Sequence, residues 1–590
     1  MFPLLVAAYA SAALAAGPPK ADLIVVGAGI AGLSAAAEGA SAGLRVSVVD
    51  MGSVFGGHAV MSSGGLCIVG TPLQKERGFD DTPEIAERDF LKLGEDANEE
   101  WVRLYARESK VLIYDWLTAM GVRFTGVSTG GAGDTGNTFP RFHMNPRLGY
   151  GIISPIYRAC LKNSNVSFHW NIEVTELIWD GGRVRGIHGR STRTGAAIRM
   201  EAPAVLLATG GYESNLELVR RNWPSYLGRP EKVLTGSGLH SMGSGLGLAE
   251  RVGAATQRLD HQWIYTRGIP DPRHLEEGRG LYFTAPAAIW VNAQGERFTD
   301  EMGATKPVIR RLMAQKPPAY WMIFDAAGAK HFSIAGPDWQ DEKRKRTLVL
   351  ENPKLVKSAQ SIGDLARAAG LPPAAVERTV ARWNEMIDKG EDTDFHRNLK
   401  PFPMRSARRP SSFPPRIAVP PFYAARMYPL SRKSMGGLLV DLQCRVLNGR
   451  QEPIPGLYAA GEVTGMGGIN GKAALEGTFL GPSLAQGRLA ARAIAAAVPH
   501  GEPNPAPAPT AAKPGKSVNL PCESCHPTAK LIGEHRRGYW HFDKVHSLVM
   551  ERKWDCLVCH AEMSPFVAGR HKIDRMAQVG NCLHCHLTPE

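Results

Sequence analysis

The segment Ala21–Asp50 restricts what this chain can fold into more than any other stretch. An apolar run, Leu23-Ile24-Val25-Val26, leads directly into Gly27-Ala28-Gly29-Ile30-Ala31-Gly32. A small-residue helix follows, then Val46-Ser47-Val48-Val49, ending in Asp50. Short unbroken apolar runs of this kind suit strands buried on both faces, as in a parallel sheet. In the strand–turn–helix unit Gly27 allows the tight turn, Gly29 lets backbone approach a pyrophosphate, and Gly32 lets helix pack on strand. The helix N-terminus at Ile30 and Ala31 then faces the phosphates. Asp50 lies 21 residues beyond Gly29, where the end of the second strand can meet ribose hydroxyls. The glycine pattern alone is weak, but strand, helix and acid together specify a dinucleotide site. NAD and FAD fit it equally.

Further along, Ala204–Ala208 reads as another buried strand, closing on Thr209-Gly210-Gly211. From Gln257 to Ser406 the pattern is mixed, with a helix at Ala374–Lys389 and strands near Ala288–Val291 and Tyr320–Phe324, as in an inserted cap. Strand-like Gly437–Leu442 and Gly456–Ala460 return to the dinucleotide fold, and a helix at Gly481–Ala497 closes it. The expected division is 1–16 export signal, 20–256 and 407–497 dinucleotide-binding domain, 257–406 cap, 498–521 linker and 522–590 tail domain. The linker is Pro/Ala-rich and suits a semi-rigid tether.

The tail carries three Cys-x-x-Cys-His motifs: Cys522–Cys525–His526, Cys556–Cys559–His560 and Cys582–Cys585–His586. Each can hold a c-type haem through two thioethers, with the histidine as axial ligand. Structural zinc or disulfides would leave a histidine after every second cysteine unexplained. Of five spare histidines, His546 (in Phe542-Asp543-Lys544-Val545-His546), His571 and His541 are the expected distal ligands, with His535 able to replace His541. His584 lies inside a motif and fits least well. Cys67, Cys160 and Cys444 read as core thiols.

Composition adds two constraints. At 590 residues the chain exceeds one ordinary domain. Of its net charge of +13, +11 belongs to the body, since Val498–Glu590 holds 11 Lys/Arg against 9 Asp/Glu. With haem propionates added, the tail would face a body of opposite sign. No basic run or binding motif supports nucleic acid as a partner. Met1–Ala16 is apolar and ends in small residues, as an export signal does, although no Lys or Arg precedes Lys20. Haem attachment to this motif takes place outside the bacterial cytoplasm, so motif and signal agree on a periplasmic protein. No later run is long enough to span a membrane.

Gly56-Gly57-His58 with Ser62-Ser63-Gly64-Gly65, Ala208-Thr209-Gly210-Gly211, Met435-Gly436-Gly437 and Gly456-Leu457-Tyr458-Ala459-Ala460-Gly461-Glu462-Val463-Thr464-Gly465 occur in that order. Together they resemble the fumarate reductase/succinate dehydrogenase flavoproteins, over about Asp22–Ala497. The architecture is closest to periplasmic flavocytochromes c, which usually carry the haem domain at the N-terminus rather than the C-terminus. The resemblance implies an α/β class: a Rossmann-like FAD-binding domain with an inserted α+β cap, joined here to a small C-terminal multihaem cytochrome c domain. It implies FAD beside three covalent haems c, and hydride transfer between flavin and a carbonyl-activated carbon–carbon bond. It places Glu462 near the ribityl chain and Ser483-Leu484 near the isoalloxazine.

The family's fumarate-specific residues are replaced. After Gly295-Glu296-Arg297-Phe298-Thr299-Asp300-Glu301, the position of the family's proton-donating Arg holds Thr305. A His pair before Met-Gly-Gly becomes Arg432 and Lys433, a carboxylate-clamping Arg becomes Ala474, and a cap His falls on or near Arg267. Gly477-Thr-Phe-Leu-Gly481-Pro482 looks more like ketosteroid dehydrogenases, yet their tyrosine position is Ala473. The substrate expected is therefore a small organic molecule, anionic or carbonyl-bearing, and not fumarate. Arg432, Lys433, Lys472 and Arg267 are candidates for gripping it. Arg310, Tyr423 and the Arg141/His143 pair are candidates for proton donation.

Three readings follow: a reductase fed through haems by a cytochrome or quinol-linked donor, the same machinery run as a dehydrogenase, or an electron-transfer protein without substrate chemistry. Oligomeric state is not legible.

Overall fold

The computed structural model describes residues 21–129, 136–238, 240–276, 278–335, 339, 341–399 and 416–499. The expected export signal at 1–16 lies outside the described residues. So do nearly all of the linker and the whole 522–590 tail, with Cys522, Cys525, Cys556, Cys559, Cys582, Cys585, His526, His541, His546, His560, His571 and His586.

The body is a six-stranded sheet in the order Arg445–Leu447, Pro453–Ala459, Ala204–Leu207, Leu23–Val26, Val46–Val49, Val166–His169. All pairings are parallel except that of the Arg445–Leu447 edge. Leu23 stands opposite both Val46 and Ala204, so the apolar runs form the sheet centre. Helices Ile30–Ser41 and Leu480–Ala497 pack together against this sheet. Gly487 permits their close approach, because a Cβ there would lie 2.1 Å from the Ala31 carbonyl oxygen.

Four strands end side by side at Gly27, Asp50, Ala208 and Ala460. The carboxyl edge of such a sheet is where doubly wound folds bind ligands.

The cap is built on an eight-stranded sheet. Its centre is the long strand Phe422–Ser434, paired antiparallel with Gln262–Pro270, Tyr320–Phe324 and Val356–Ala359. Helix Pro373–Lys389 covers the cap with Val376, Val380, Trp383 and Met386, one stripe at helical spacing. That element, and the strands Ile289–Val291 and Tyr320–Phe324, lie where the sequence places them.

The boundaries differ. The chain contributes Leu234–Thr235 to the cap sheet before residue 257 and remains in it until Ser434, well past 406. Gly437–Leu438 pairs with Thr256–Gln257 in a separate ribbon, so the dinucleotide sheet resumes only at Arg445. The physical reason is that a strand's sheet membership is set by its partners, and period-two patterning does not reveal them. Among the described residues, no helix is long and apolar enough to cross a membrane.

Candidate functional site

The glycine turn is shaped by close packing. Gly27 has φ +112°, and a Cβ there would lie 2.3 Å from the Ala208 carbonyl oxygen. At Gly32 a Cβ would lie 1.9 Å from the Gly27 oxygen, whereas at Gly29 it would meet nothing within 4 Å. The turn is thus tight behind and open in front, and Gly29 caps the helix of Ile30 and Ala31 with no side-chain partner. Asp50 accepts hydrogen bonds from Ala28 N–H (2.6 Å) and Gly52 N–H (2.7 Å). Burial raises its carboxyl pKa, against the pull of those two bonds and of His240.

Gly56 and Gly57 bend the next loop over the turn, both at positive φ, with Gly57 against Gly29. Ser62 donates to the Ala59 carbonyl and accepts from Gly64 N–H, which stiffens the loop, while Ser63 is exposed. Gly64 packs on the Leu148 backbone and Gly65 on the Phe142 ring, each too closely for a side chain. Across the sheet edge, Thr209 keeps a buried hydroxyl with no hydrogen-bond partner among the described residues, and Gly210 turns the chain at φ +77°. Ser483 and Leu484 are buried in the closing helix, Ser483 beside Gly461.

Beside this cradle six side chains meet. Lys433 donates to His58 Nδ1 (2.7 Å) and stands 3.5 Å from Glu462. Ser237 lies 3.0 Å from the same His58 nitrogen and donates to Glu213 at 2.7 Å. Ser434 donates its N–H to Glu462 and its hydroxyl to Glu213. An ammonium can only donate, so His58 Nδ1 is the acceptor and the ring is neutral. Burial, then Lys433, Arg432 and Arg279, hold the His58 pKa well below its ordinary value. Glu213 is pushed up, first by burial and then by the Glu462 charge, with Lys433 opposing. His58, Glu213 and Glu462 could in principle ligate a metal, since their ligand atoms lie within 4.8 Å of one another. The Lys433 ammonium already provides a cation there.

The face of the cap turned to this cradle is aromatic and basic. Trp263, Met435, Ala473 and Ala474 form one apolar cluster with Leu93, Tyr265 and Phe479 against it. Arg432 donates to the Gly236 carbonyl (2.7 Å) and lies over the Tyr265 ring. Arg267 donates to the Glu301 carbonyl (2.7 Å) and sits over Trp290, near the Tyr282 hydroxyl. Thr305 opens helix Thr305–Met313, whose Lys306 and Arg310 both pair with Glu95 of the body. Lys472 approaches the same carboxylate at 3.9 Å.

Three other candidates are committed elsewhere. Tyr423 is buried in the cap interior, stacked on Phe324, with strands on both sides. Arg141 is completely buried between Asp81 and Asp89, at 2.7 Å from each. His143 is saturated by Thr71 and the Arg141 carbonyl. These two carry a structural network, since a buried ion pair needs every partner it has.

A family model described as an FAD binding domain matches residues 22–480. The chain belongs to this family. It is 31% identical over 545 residues to a KsdD-like steroid dehydrogenase of Mycobacterium tuberculosis, covering 80% of this chain and 96% of that protein. It is 30% identical over 486 residues to a fumarate reductase (cytochrome) of Shewanella frigidimarina, covering 81% and 78%. The open conformation of a flavocytochrome c3 fumarate reductase superposes with a TM-score of 0.64 at 26% identity, covering 82% and 80%.

The cradle fits what an FAD-binding protein must hold. The space in front of Gly29 and the free N–H groups of the helix start suit a pyrophosphate. Asp50 at the next strand end suits a ribose, and the unpartnered Thr209 hydroxyl offers one further polar contact. Four participants escaped the sequence reading. Glu213 follows Gly210-Gly211 by two residues and could have been sought there; Tyr265 precedes Arg267 by two and lies on the same strand. Ser237 carries no motif and Ser434 stands just before Met435-Gly436-Gly437; only tertiary contact brings both to Glu213.

Proposed function

We propose that this FAD-dependent oxidoreductase acts on a carbon–carbon bond beside a carbonyl group. We assign it as a periplasmic flavocytochrome whose three tail haems supply single electrons from a cytochrome or quinol-linked donor. The observation that carries the reading is the meeting of the cap's long strand with the cradle: Lys433 on that strand reaches His58 and Glu462 on the body. The bound FAD supplies hydride exchange with carbon.

The protein's own residues do the rest. Arg432 and Arg267 present guanidinium groups to a carbonyl or carboxylate. Trp263, Tyr265 and Phe479 exclude water and favour an apolar enone or enoate over a small dicarboxylate. The replaced fumarate residues support the same choice. The three Cys-x-x-Cys-His motifs support the haem relay, as does the relative named as a cytochrome-type fumarate reductase.

Desaturation, with electrons leaving through the haems, is the second reading. It is favoured by the steroid dehydrogenase relative, which this chain matches over 96% of that protein's length.

The test is the full chain matured with haem and flavin, assayed on enones, enoates and their saturated forms. Reduced viologen drives one direction and ferric cytochrome the other. Arg432→Ala and Lys433→Ala should each lower turnover about 10- to 100-fold with unchanged haem spectra, the loss of one charge-assisted contact being worth about 1.5–3 kcal/mol. Removing residues 498–590 should abolish electron exchange with cytochrome while leaving flavin bound. Inertness of the intact holoprotein toward the whole panel would leave an electron-transfer protein without substrate chemistry.

A further inference from the structure

Two crossings between body and cap run side by side, and the buried His261 belongs to one of them. The chain leaves the ribbon strand Thr256–Gln257 through residues 258–261 and enters the cap at Gln262. It returns through Met435 and Gly436, directly after the cap's long strand ends at Ser434. Met435 N–H donates to the His261 carbonyl (2.8 Å), and a Cβ on Gly436 would lie 1.8 Å from the Arg258 carbonyl oxygen. The crossings are thus pressed together, with Arg258 at φ +51°.

His261 meets a carboxylate on each side. Its Nε2 lies 2.9 Å from Asp96, on the body loop beyond helix Pro83–Gly94, and its Nδ1 lies 2.9 Å from Asp260 on its own crossing. A carboxylate oxygen only accepts, so both ring nitrogens donate and the ring is the imidazolium cation. The second Asp96 oxygen, Oδ1, is buried with no hydrogen-bond partner among the described residues, and a Cβ on Gly471 would lie 2.9 Å from it. A buried carboxylate oxygen in that position needs a cation close by, which the imidazolium provides.

Other charged or titratable groups surround this contact. Arg258 donates to the Asp96 backbone carbonyl (3.1 Å), and the Tyr212 hydroxyl donates to the Leu259 carbonyl. Tyr226 feels both Asp260 and Asp96, and Glu95, next to Asp96, is engaged by Lys306 and Arg310. Trp263, two residues past His261, is the register partner of Lys433, two residues before Met435. Whatever fixes His261 therefore fixes how Lys433 reaches His58 and where Trp263 closes the apolar face.

We infer that His261 is a positioning residue: its imidazolium pins the paired roots of the two cap strands to the Asp96 loop of the body, and so sets Lys433 and Trp263 over the cradle. When the ring gives up a proton, a nitrogen lone pair faces a carboxylate oxygen and the pin opens. Its contribution is complete while the ring is protonated and is lost as pH rises and the ring becomes neutral. The hinge role stands by itself, and its consequence for turnover rests on the function proposed above.

The test uses full chains matured with flavin and haem: wild type, His261→Gln and Asp96→Asn. Hydrogen exchange, corrected for its intrinsic pH dependence, reads the protection of the Met435 amide from about pH 6 to about pH 9, a span that brackets imidazole deprotonation. Wild type should lose about 10-fold in protection over that span, the scale of one hydrogen bond to a charged partner, whereas His261→Gln should start low and stay flat. Asp96→Asn should be flat as well, because its amide can accept from the ring or donate to it. On the enone and enoate panel, His261→Gln should change kcat and KM together, lower kcat/KM about 10-fold and lose the alkaline fall of the wild-type profile, with flavin content unchanged. If His261→Gln does not retain flavin, Asp260→Asn replaces it and should show a weaker pH dependence than wild type. Met435 protection that ignores pH in wild type, or a full pH dependence surviving in the variants, overturns the inference. If wild type turns over nothing in the panel, the proposed function falls, and the exchange data still decide the hinge.

Discussion

Single residues in the cradle are tuned against one another. Glu213 and Glu462 are two carboxyls served by one ammonium, so the fully buried Glu213 gives way and holds its proton, its pKa pushed up to about 8. The folded protein therefore binds a proton that the unfolded chain releases above the ordinary carboxylate range. Stability falls as pH rises between that range and about 8, and levels off above it. Glu213→Gln should flatten this slope and stabilise the protein at pH 8 by about 1–3 kcal/mol, as read from denaturant unfolding at a series of pH values. An unchanged slope would mean that Glu213 stays ionised. Asp50 was legible because its spacing from Gly29 is a property of strand and helix lengths. Glu213 was not, because its perturbation comes first from burial and then from Glu462, both set by segments distant in sequence.

Among elements, the first strand, its glycine turn and the helix after it behave as one rigid piece. Gly32 lies against the Gly27 carbonyl and the Val25 side chain, so no rotamer of a larger residue fits. Gly32→Val should push the helix off the strand, cost about 1–3 kcal/mol as overpacking does, and yield protein without bound flavin by absorbance. A normally coloured variant would show that the helix can shift without disturbing the cradle. The Phe422–Ser434 strand teaches a complementary lesson. Its sequence reads as an ordinary strand, but it carries the cap sheet on two sides and delivers Arg432 and Lys433 to the body at its end.

At the scale of the molecule, Glu95 is the centre of one polar joint between cap and body, separate from the Lys433 cluster. This body residue, at φ +66° just past helix Pro83–Gly94, pairs with Lys306 at 2.7 Å and Arg310 at 3.2 Å, both on the cap. The Lys306 side chain, first, and Arg310 lower its carboxyl pKa. Exposed pairs are individually weak, about 0–1 kcal/mol, and are screened by salt. Glu95→Gln should therefore leave folding intact while loosening cap closure. Its turnover should change about 2- to 5-fold at low salt and lose the ionic-strength dependence shown by wild type, as measured by steady-state rates across a salt series. A variant with wild-type salt dependence would place the clasp elsewhere.

The four central strands of the dinucleotide sheet, the cap's main helix and the glycine turn follow from the sequence alone, because apolar periodicity and glycine spacing act locally. The family and its FAD came instead from the resemblance carried by the ordered segments, since the dinucleotide fingerprint fits NAD and FAD equally. Only the folded molecule decided that Arg141, His143 and Tyr423 are packed inside, that Lys433 meets His58, and that Glu213 meets Ser237 and Ser434. Those outcomes depend on strand partners and shared burial between segments far apart in the chain, and neither leaves a periodic trace in the residues themselves.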